Sequence, residues 1–169
     1  MSVQNTETPF PVIDADPHFN RVLRYFRPSD YAAFAGLTVA APAGFLAWQK
    51  LNPVGGSGRN VRTQLGIMTV LGAFGGFLYA YQQSSLRFMG WKENAAEVEK
   101  DFKELSQRAK EGKPLYGESM LPQYIQDSLA RYSKNAALVF DSIPFFNFVN
   151  HQNHGVDTSK YYEGASKAE

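Results

Sequence analysis

The sequence contains no cysteine in its 169 residues, which removes disulfides, thiolate metal ligation, iron–sulfur ligation and a cysteine nucleophile together. Positive charge is also missing where a cleavable address would carry it. Residues 1–19 hold Glu7, Asp14 and Asp16 but no Lys or Arg, the reverse of a secretory n-region or an Arg-rich presequence. No cleavable address is therefore expected there, and organellar targeting would fall to Arg21, Arg24, Arg27 and the first apolar segment. Net charge is +1, so no nucleic-acid footprint is expected.

The absence that decides the class is local. No Asp, Glu, Lys, Arg or His occurs from Tyr31 to Gln49, 19 residues, or from Thr63 to Leu86, 24 residues. A bilayer core about 30 Å thick is crossed by about 20 helical residues rising about 1.5 Å each, so both runs are long enough. Whole-chain averages of 44% hydrophobic and 20% charged residues hide this.

The pattern predicts an all-α membrane protein: a two-helix transmembrane hairpin with an extended N-terminal strap, a short interfacial helix and a soluble tail that is part helical and part extended. Residues 1–30 form the N-terminal part. Three prolines between Thr8 and Pro17 keep the strap extended. Phe19, Val22, Leu23 and Phe26 alternate with Arg21, Arg24 and Arg27 as an amphipathic helix whose arginines reach lipid phosphates. Spans follow at 31–49 and 63–86. The first starts near Asp30 with Ser29 or Asp30 as cap, carries Pro42 as a kink, and ends at the interfacial Trp48. Residues 50–62, rich in Gly, Pro and Asn, are too short for a domain, so the spans are antiparallel neighbours. In the tail, 87–169, amphipathic helices are predicted near 92–111 and 121–137. The first would bury Ala95, Val98, Phe102, Leu105 and Ala109 and turn its charges to solvent. From Ile143 onward the chain is expected to be extended.

Within the spans, small residues recur at four-residue steps: Ala32, Gly36, Ala40 and Gly44 on the first, Gly72, Gly76 and Ala80 on the second. Such stripes let helix backbones approach closely, and they are the candidate packing positions. The spans lack the ionisable groups that pumps and channels place in the bilayer. Outside them, His151 and His154 are three apart and His18 lies near Asp14 and Asp16, but neither set offers a third ligand on an evident scaffold, so no metal site is expected. Gly55 to Gly58 has neither the preceding strand nor the Lys-Ser/Thr pair of a phosphate loop. No catalytic motif is found.

The stretch Phe10 to Tyr31 resembles the start of the fungal 21-kilodalton-type accessory subunit of respiratory complex I, the mitochondrial NADH:ubiquinone oxidoreductase. The likeness rests on Asp16 to Phe19, Arg27 to Tyr31, the two spans and the Gly-Trp-Lys-Glu-Asn junction at Gly90 to Asn94. It implies a non-catalytic subunit of the membrane arm that supports assembly and stability, in the mitochondrial inner membrane, with core and other accessory subunits and membrane lipids as partners. FMN and iron–sulfur clusters would belong to the parent complex. This chain would bind no cofactor, with a bound phospholipid left open. Lys and Arg near the span ends, Arg21, Arg24, Arg27, Arg87 and Lys92 against Lys50, Arg59 and Arg62, put both termini on the matrix side. Asp16, His18, Phe19, the three arginines, Trp48, Arg87 and Trp91 are the expected interfacial and docking residues, with Phe145, Phe146 and Phe148 as apolar anchors. Two rivals are a small translocase or channel subunit and a free-standing membrane enzyme. The spans offer few polar pore-lining groups beyond Thr38 and Thr69 to the first, and the enzyme would need a cluster of titratable groups at the interface.

Overall fold

The computed structural model of the chain describes residues 7–53, 58–119, 121–128, 131, 146–152 and 154–166. Five helices are named below: α1 (Phe19–Arg24), α2 (Pro28–Leu51), α3 (Gly58–Phe88), α4 (Ala95–Lys110) and α5 (Ser159–Ser166). Residues 123–128 are also helical. Among the described residues there is no strand, only an isolated parallel bridge between His18 and Asn147.

The two charge-free runs are α2 and α3. α2 begins before Asp30, at Pro28, with Arg27 as its N-cap. Proline suits the first helical position because it has no N–H to leave unpaired and its φ is preset. Asp30 then acts from the third position, its carboxylate accepting the Arg27 N–H at 2.8 Å. The helix continues through Pro42, and the hydroxyls of Thr38 and Thr69 donate to the Phe34 and Leu65 carbonyls at 2.8 and 2.9 Å. These two hydroxyls are thus satisfied within their own helix, as a bilayer requires. The predicted loop shortens at both ends, since α2 runs through Leu51 and α3 starts at Gly58.

None of the most apolar stretch of Pro28–Leu51 and only 11% of that of Asn60–Phe88 is buried. A soluble core helix would hide this surface, whereas helices facing lipid need not. The pair is the transmembrane hairpin of an all-α membrane protein.

Close approach in the hairpin comes from one side. A Cβ on Gly72 would lie 2.7 Å from the Leu37 carbonyl oxygen and 2.8 Å from the Ala41 Cβ, and one on Gly76 would lie 2.8 Å from the Phe34 carbonyl oxygen. As numbers rise along α3 they fall along α2, so the helices are antiparallel. Gly36 and Gly44, in the matching stripe of α2, meet nothing within 4 Å. The α2 stripe faces away from α3 because Phe34, Leu37, Thr38 and Ala41 occupy the inner face.

The chain divides into two compact units, residues 26–83 and residues 1–25 with 84–169. The second unit joins the strap to the tail, which the sequence reading set apart. Its turns are sharp. α3 closes with Gly90 at φ +76°, the Trp91 N–H donating to Leu86 at 2.9 Å and the Gly90 N–H to Arg87 at 3.3 Å. α4 closes likewise at Gly112, φ +64°. This left-handed ending suits glycine.

α4 is rotated from the predicted orientation. Its buried residues are Glu97, Asp101, Leu105 and Ser106, while Ala95 and Phe102 are exposed. The acids can face inward because each meets a buried cation: Arg87 Nε lies 3.0 Å from Glu97, and Arg21 pairs with Asp101. The end of the chain also departs from the expectation of extended structure. Asp157 accepts the Ser159 N–H and hydroxyl at 2.9 and 2.7 Å, opening α5. Tyr161 of α5 is fully buried beside Leu105, Leu115 and Tyr116. The rest of the helix predicted over 121–137, and Phe145, lie outside the described residues.

Gly72→Leu and Gly76→Leu should each lower the stability of the detergent-solubilised full-length chain by about 1–3 kcal/mol, the usual range for overpacking. Gly36→Ala and Gly44→Ala should change it little. Thermal unfolding of the four variants checks the contrast, and equal losses at all four positions would contradict the one-sided packing.

Candidate functional site

The strap is held by main-chain bonds on two sides. On one, the Phe10 N–H donates to Gly90 at 3.1 Å, and the Ile13 and Asp14 N–H groups donate to Phe88 at 2.9 and 3.1 Å. On the other, the Ala15 N–H donates to His154 at 3.0 Å and the Phe19 N–H to Asn147 at 2.7 Å. Asn94, fully buried at the α3–α4 junction, donates from one amide nitrogen to the Pro11 and Arg87 carbonyls at 2.8 and 2.7 Å. A Cβ on Gly90 would collide with the Phe10 carbonyl oxygen. The Gly90 to Asn94 junction is therefore the seat of the strap.

Between these layers lies a buried polar clasp centred on Arg21. Its guanidinium pairs with Asp14 of the strap and Asp101 of α4, and lies 5.3 Å from the Phe88 ring centroid and 5.1 Å from that of Tyr116. Cations over aromatic faces at this range are attracted by the ring quadrupole. Asp101 also accepts the Tyr161 hydroxyl at 2.6 Å. His154 Nδ1 lies 2.6 Å from Asp14 and its Nε2 lies 2.7 Å from the His151 carbonyl oxygen. Both neighbours are oxygen acceptors, so the ring bridges the strap to the tail's own backbone. His151 Nε2 meets Asp16 at 2.8 Å. The Tyr116, His154 and His151 rings stack with centroids 3.5 and 4.6 Å apart.

The two carboxylates at Arg21 are not equivalent. Burial acts to raise the Asp14 carboxyl, but His154, Arg21 and the Asp16 N–H outweigh it and hold the group below its ordinary 3.8. Burial prevails at Asp101, raising it despite Arg21 and Tyr161, with the Asp14 charge adding to the rise. Two like charges sharing one cation split in this way. Arg21 itself keeps its proton more firmly than a free guanidinium, the two carboxylates outweighing the cost of burial.

The His–Asp pairs resemble the orienting half of a hydrolytic triad, yet both are fully buried and bonded to structural carbonyls and amides. Their geometry holds segments together. Among the described residues no group of three or more His, Cys, Asp or Glu is placed to hold a metal ion.

The sequence-predicted docking residues divide. Asp16 and Arg21 are inside the clasp, so Arg21 is not a lipid-facing arginine; two buried acids hold it. Arg87 is likewise buried against Glu97 and not at an interface. His18 caps α1, its Nδ1 accepting the Asn20 N–H at 3.2 Å. Arg24 stays exposed, 2.6 Å from Glu104, and Arg27 caps α2. Trp48 and Trp91 are exposed. Phe19 gathers Phe148 and Phe146 at 4.9 and 5.5 Å, with Phe148 left 66% exposed. Of the second packing stripe, Gly72, Gly76 and Ala80 are buried, whereas Ala32, Gly36, Ala40 and Gly44 are exposed. Sequence reasoning missed Asp14, Asn94, Asp101, Tyr116, Asn147 and Tyr161 as site residues. One signal was present: the Asp-x-Asp at 14 and 16 and the His-x-x-His at 151 and 154 pair one to one.

Two family models match the sequence. That of the NADH-ubiquinone oxidoreductase complex I, 21 kDa subunit, covers residues 7–93, and that of the C-terminal of NADH-ubiquinone oxidoreductase 21 kDa subunit covers residues 102–169. The sequence is also 47% identical over 160 residues to the NADH-ubiquinone oxidoreductase 20.9 kDa subunit of Neurospora crassa, covering 95% of this chain and 85% of that one. The clasp ties the two matched regions together, Asp14 of the first to His154 of the second directly and Arg21 to Tyr161 through Asp101.

Asp14→Asn should destabilise the full-length chain by about 3–5 kcal/mol, the usual effect of breaking a buried pair, and Asp101→Asn by less. The lowered Asp14 contributes stability that is complete above about pH 3.8 and is lost as pH falls through its folded value. Asp14→Asn should therefore remove part of the acid limb of a stability–pH profile. Thermal unfolding from pH 2 to 7 reads both effects; a more damaging Asp101→Asn would reverse the assignment.

Proposed function

The chain belongs to the family of the 21 kDa subunit of NADH-ubiquinone oxidoreductase complex I, a small supernumerary and non-catalytic subunit, and from that premise we propose that it supports assembly and stability of the membrane arm. The observation that carries this reading is the 47% identity across 95% of the chain. Electron transfer, with its FMN and iron–sulfur clusters, belongs to other subunits of the parent complex. The mitochondrial inner membrane is the setting, with two passes and both termini in the matrix.

Two features of the fold support the role. The hairpin leaves almost all of its apolar surface outward, including the α2 row with open space at Gly36 and Gly44, where neighbouring helices and lipids can pack closely. The clasp holds the strap and the described parts of the tail within the chain, which gives neighbours a preformed surface there. Binding by a preformed surface avoids most of the ordering cost that an extended strap would incur.

Mitochondrial membranes solubilised in mild detergent and separated on native gels should show this chain co-migrating with NADH dehydrogenase activity at the size of the whole complex. Migration as a small separate oligomer would overturn the reading and favour a translocase subunit. In mitoplasts, the C-terminal tail should resist added protease; its digestion would reverse the orientation.

A further inference from the structure

The seat of the strap carries an apolar corner that the clasp does not use. Phe10 and Trp91 are 37% and 39% exposed, and the main chain brings them to one place. The Phe10 N–H donates to Gly90 at 3.1 Å, and the next residue, Trp91, donates its own N–H to Leu86 at 2.9 Å. Leu86 ends the charge-free run of α3. Trp91 is therefore one hydrogen bond from the end of a span.

The polar groups at this corner are turned inward or already engaged. No Asp, Glu, Lys, Arg or His occurs from Thr8 to Ile13, and Pro9, Phe10 and Pro11 are all exposed. The two prolines have no N–H. The Phe10 carbonyl accepts the Thr8 hydroxyl at 2.8 Å, the Pro11 carbonyl accepts from Asn94 at 2.8 Å, and the Ile13 N–H donates to Phe88 at 2.9 Å. Solvent would satisfy these peptide groups in a loop facing water, whereas a segment among lipids must satisfy them within the protein. Arg87, directly after Leu86, is buried against Glu97 and so withdrawn from the surface.

We propose that Phe10 and Trp91 form a lipid-facing anchor that seats the strap in the headgroup layer of the bilayer at the end of α3. An indole at that level buries its ring and keeps its N–H among polar groups, and Phe10 adds an apolar side chain from a segment far off in sequence. Lys92 and Glu93, exposed and next in the chain, limit the depth, because charged groups are costly in hydrocarbon. The anchor rests on the hairpin spanning a bilayer and not on the assembly role, so a failed co-migration experiment would leave it standing.

The chain has two tryptophans, Trp48 and Trp91, which permits a test by fluorescence. The purified full-length chain is placed in phosphatidylcholine nanodiscs whose acyl chains carry bromine either near the headgroup or near the bilayer centre. Trp48→Phe leaves Trp91 as the sole indole. Adding Trp91→Phe and Phe10→Trp moves the indole to the strap, and adding Trp91→Phe and Tyr162→Trp moves it to α5; every replacement is aromatic for aromatic at an exposed position. The indoles at 91 and 10 should lose emission to shallow bromines more than to deep ones, and the indole at 162 should lose little to either. The proposal is overturned if the indole at 91 or at 10 escapes quenching, as it would where another protein covers this corner, or if the one at 162 is quenched as strongly.

Discussion

A guanidinium that is 8% exposed cannot be solvated by water, and in this chain the burial of Arg21 dictates what must surround it. The cost of removing such an ion from water is several kcal/mol, repaid only by well-aligned partners. Asp14 supplies one from the strap and Asp101 another from α4, with the Phe88 and Tyr116 rings alongside. Asp14 in turn is matched by His154. Four segments far apart in sequence are brought together by the charge requirements of one side chain. A hydrophobic core tolerates volume-conserving exchanges, but a buried polar network is strict about geometry because each unpaired member retains its full desolvation penalty. The small apolar cluster of Leu105, Leu115, Tyr116 and Tyr161 sits beside this network, and Tyr116 and Tyr161 belong to both.

The hairpin was legible in the sequence because its signal is one-dimensional: charge is absent over two stretches long enough to span, and a short loop between them leaves only an antiparallel arrangement. The boundaries were less legible, since Pro28 and Asp30 both signal a helix start and their positions as first and third residues emerge only with the cap in place. The clasp was not legible. Its contacts join residues 80, 135 and 140 apart, and its members have no periodicity to reveal them. The α4 error has the same root. Hydrophobic periodicity assigns Glu97 and Asp101 to water, and only the cations from other segments reverse that assignment.

The glycine stripes show why spacing alone does not say which face is used. Both helices carry small residues at four-residue steps, yet only Gly72 and Gly76 meet the neighbouring helix. Pro42 helps to explain their partner surface. It has no N–H to donate to the Thr38 carbonyl four residues earlier, and a Cβ on Gly72 would lie 3.2 Å from that oxygen and 2.7 Å from that of Leu37. A bare glycine lets α3 pack over a stretch of α2 where one carbonyl lacks its usual helical donor, and Cα–H groups can supply weak donors there. A larger side chain would hold the helices apart and leave the carbonyl exposed to hydrocarbon.

The two units therefore hold together by different chemistry. Residues 31–49 and 63–86 contain no Asp, Glu, Lys, Arg or His, because lipid would offer a charge nothing to replace water, and close helix packing does the work instead. In the unit of residues 1–25 and 84–169, charged groups are recruited into the interior together with their partners. Its clasp sets Arg21 between Asp14 and Asp101, with His154 against Asp14 and His151 against Asp16.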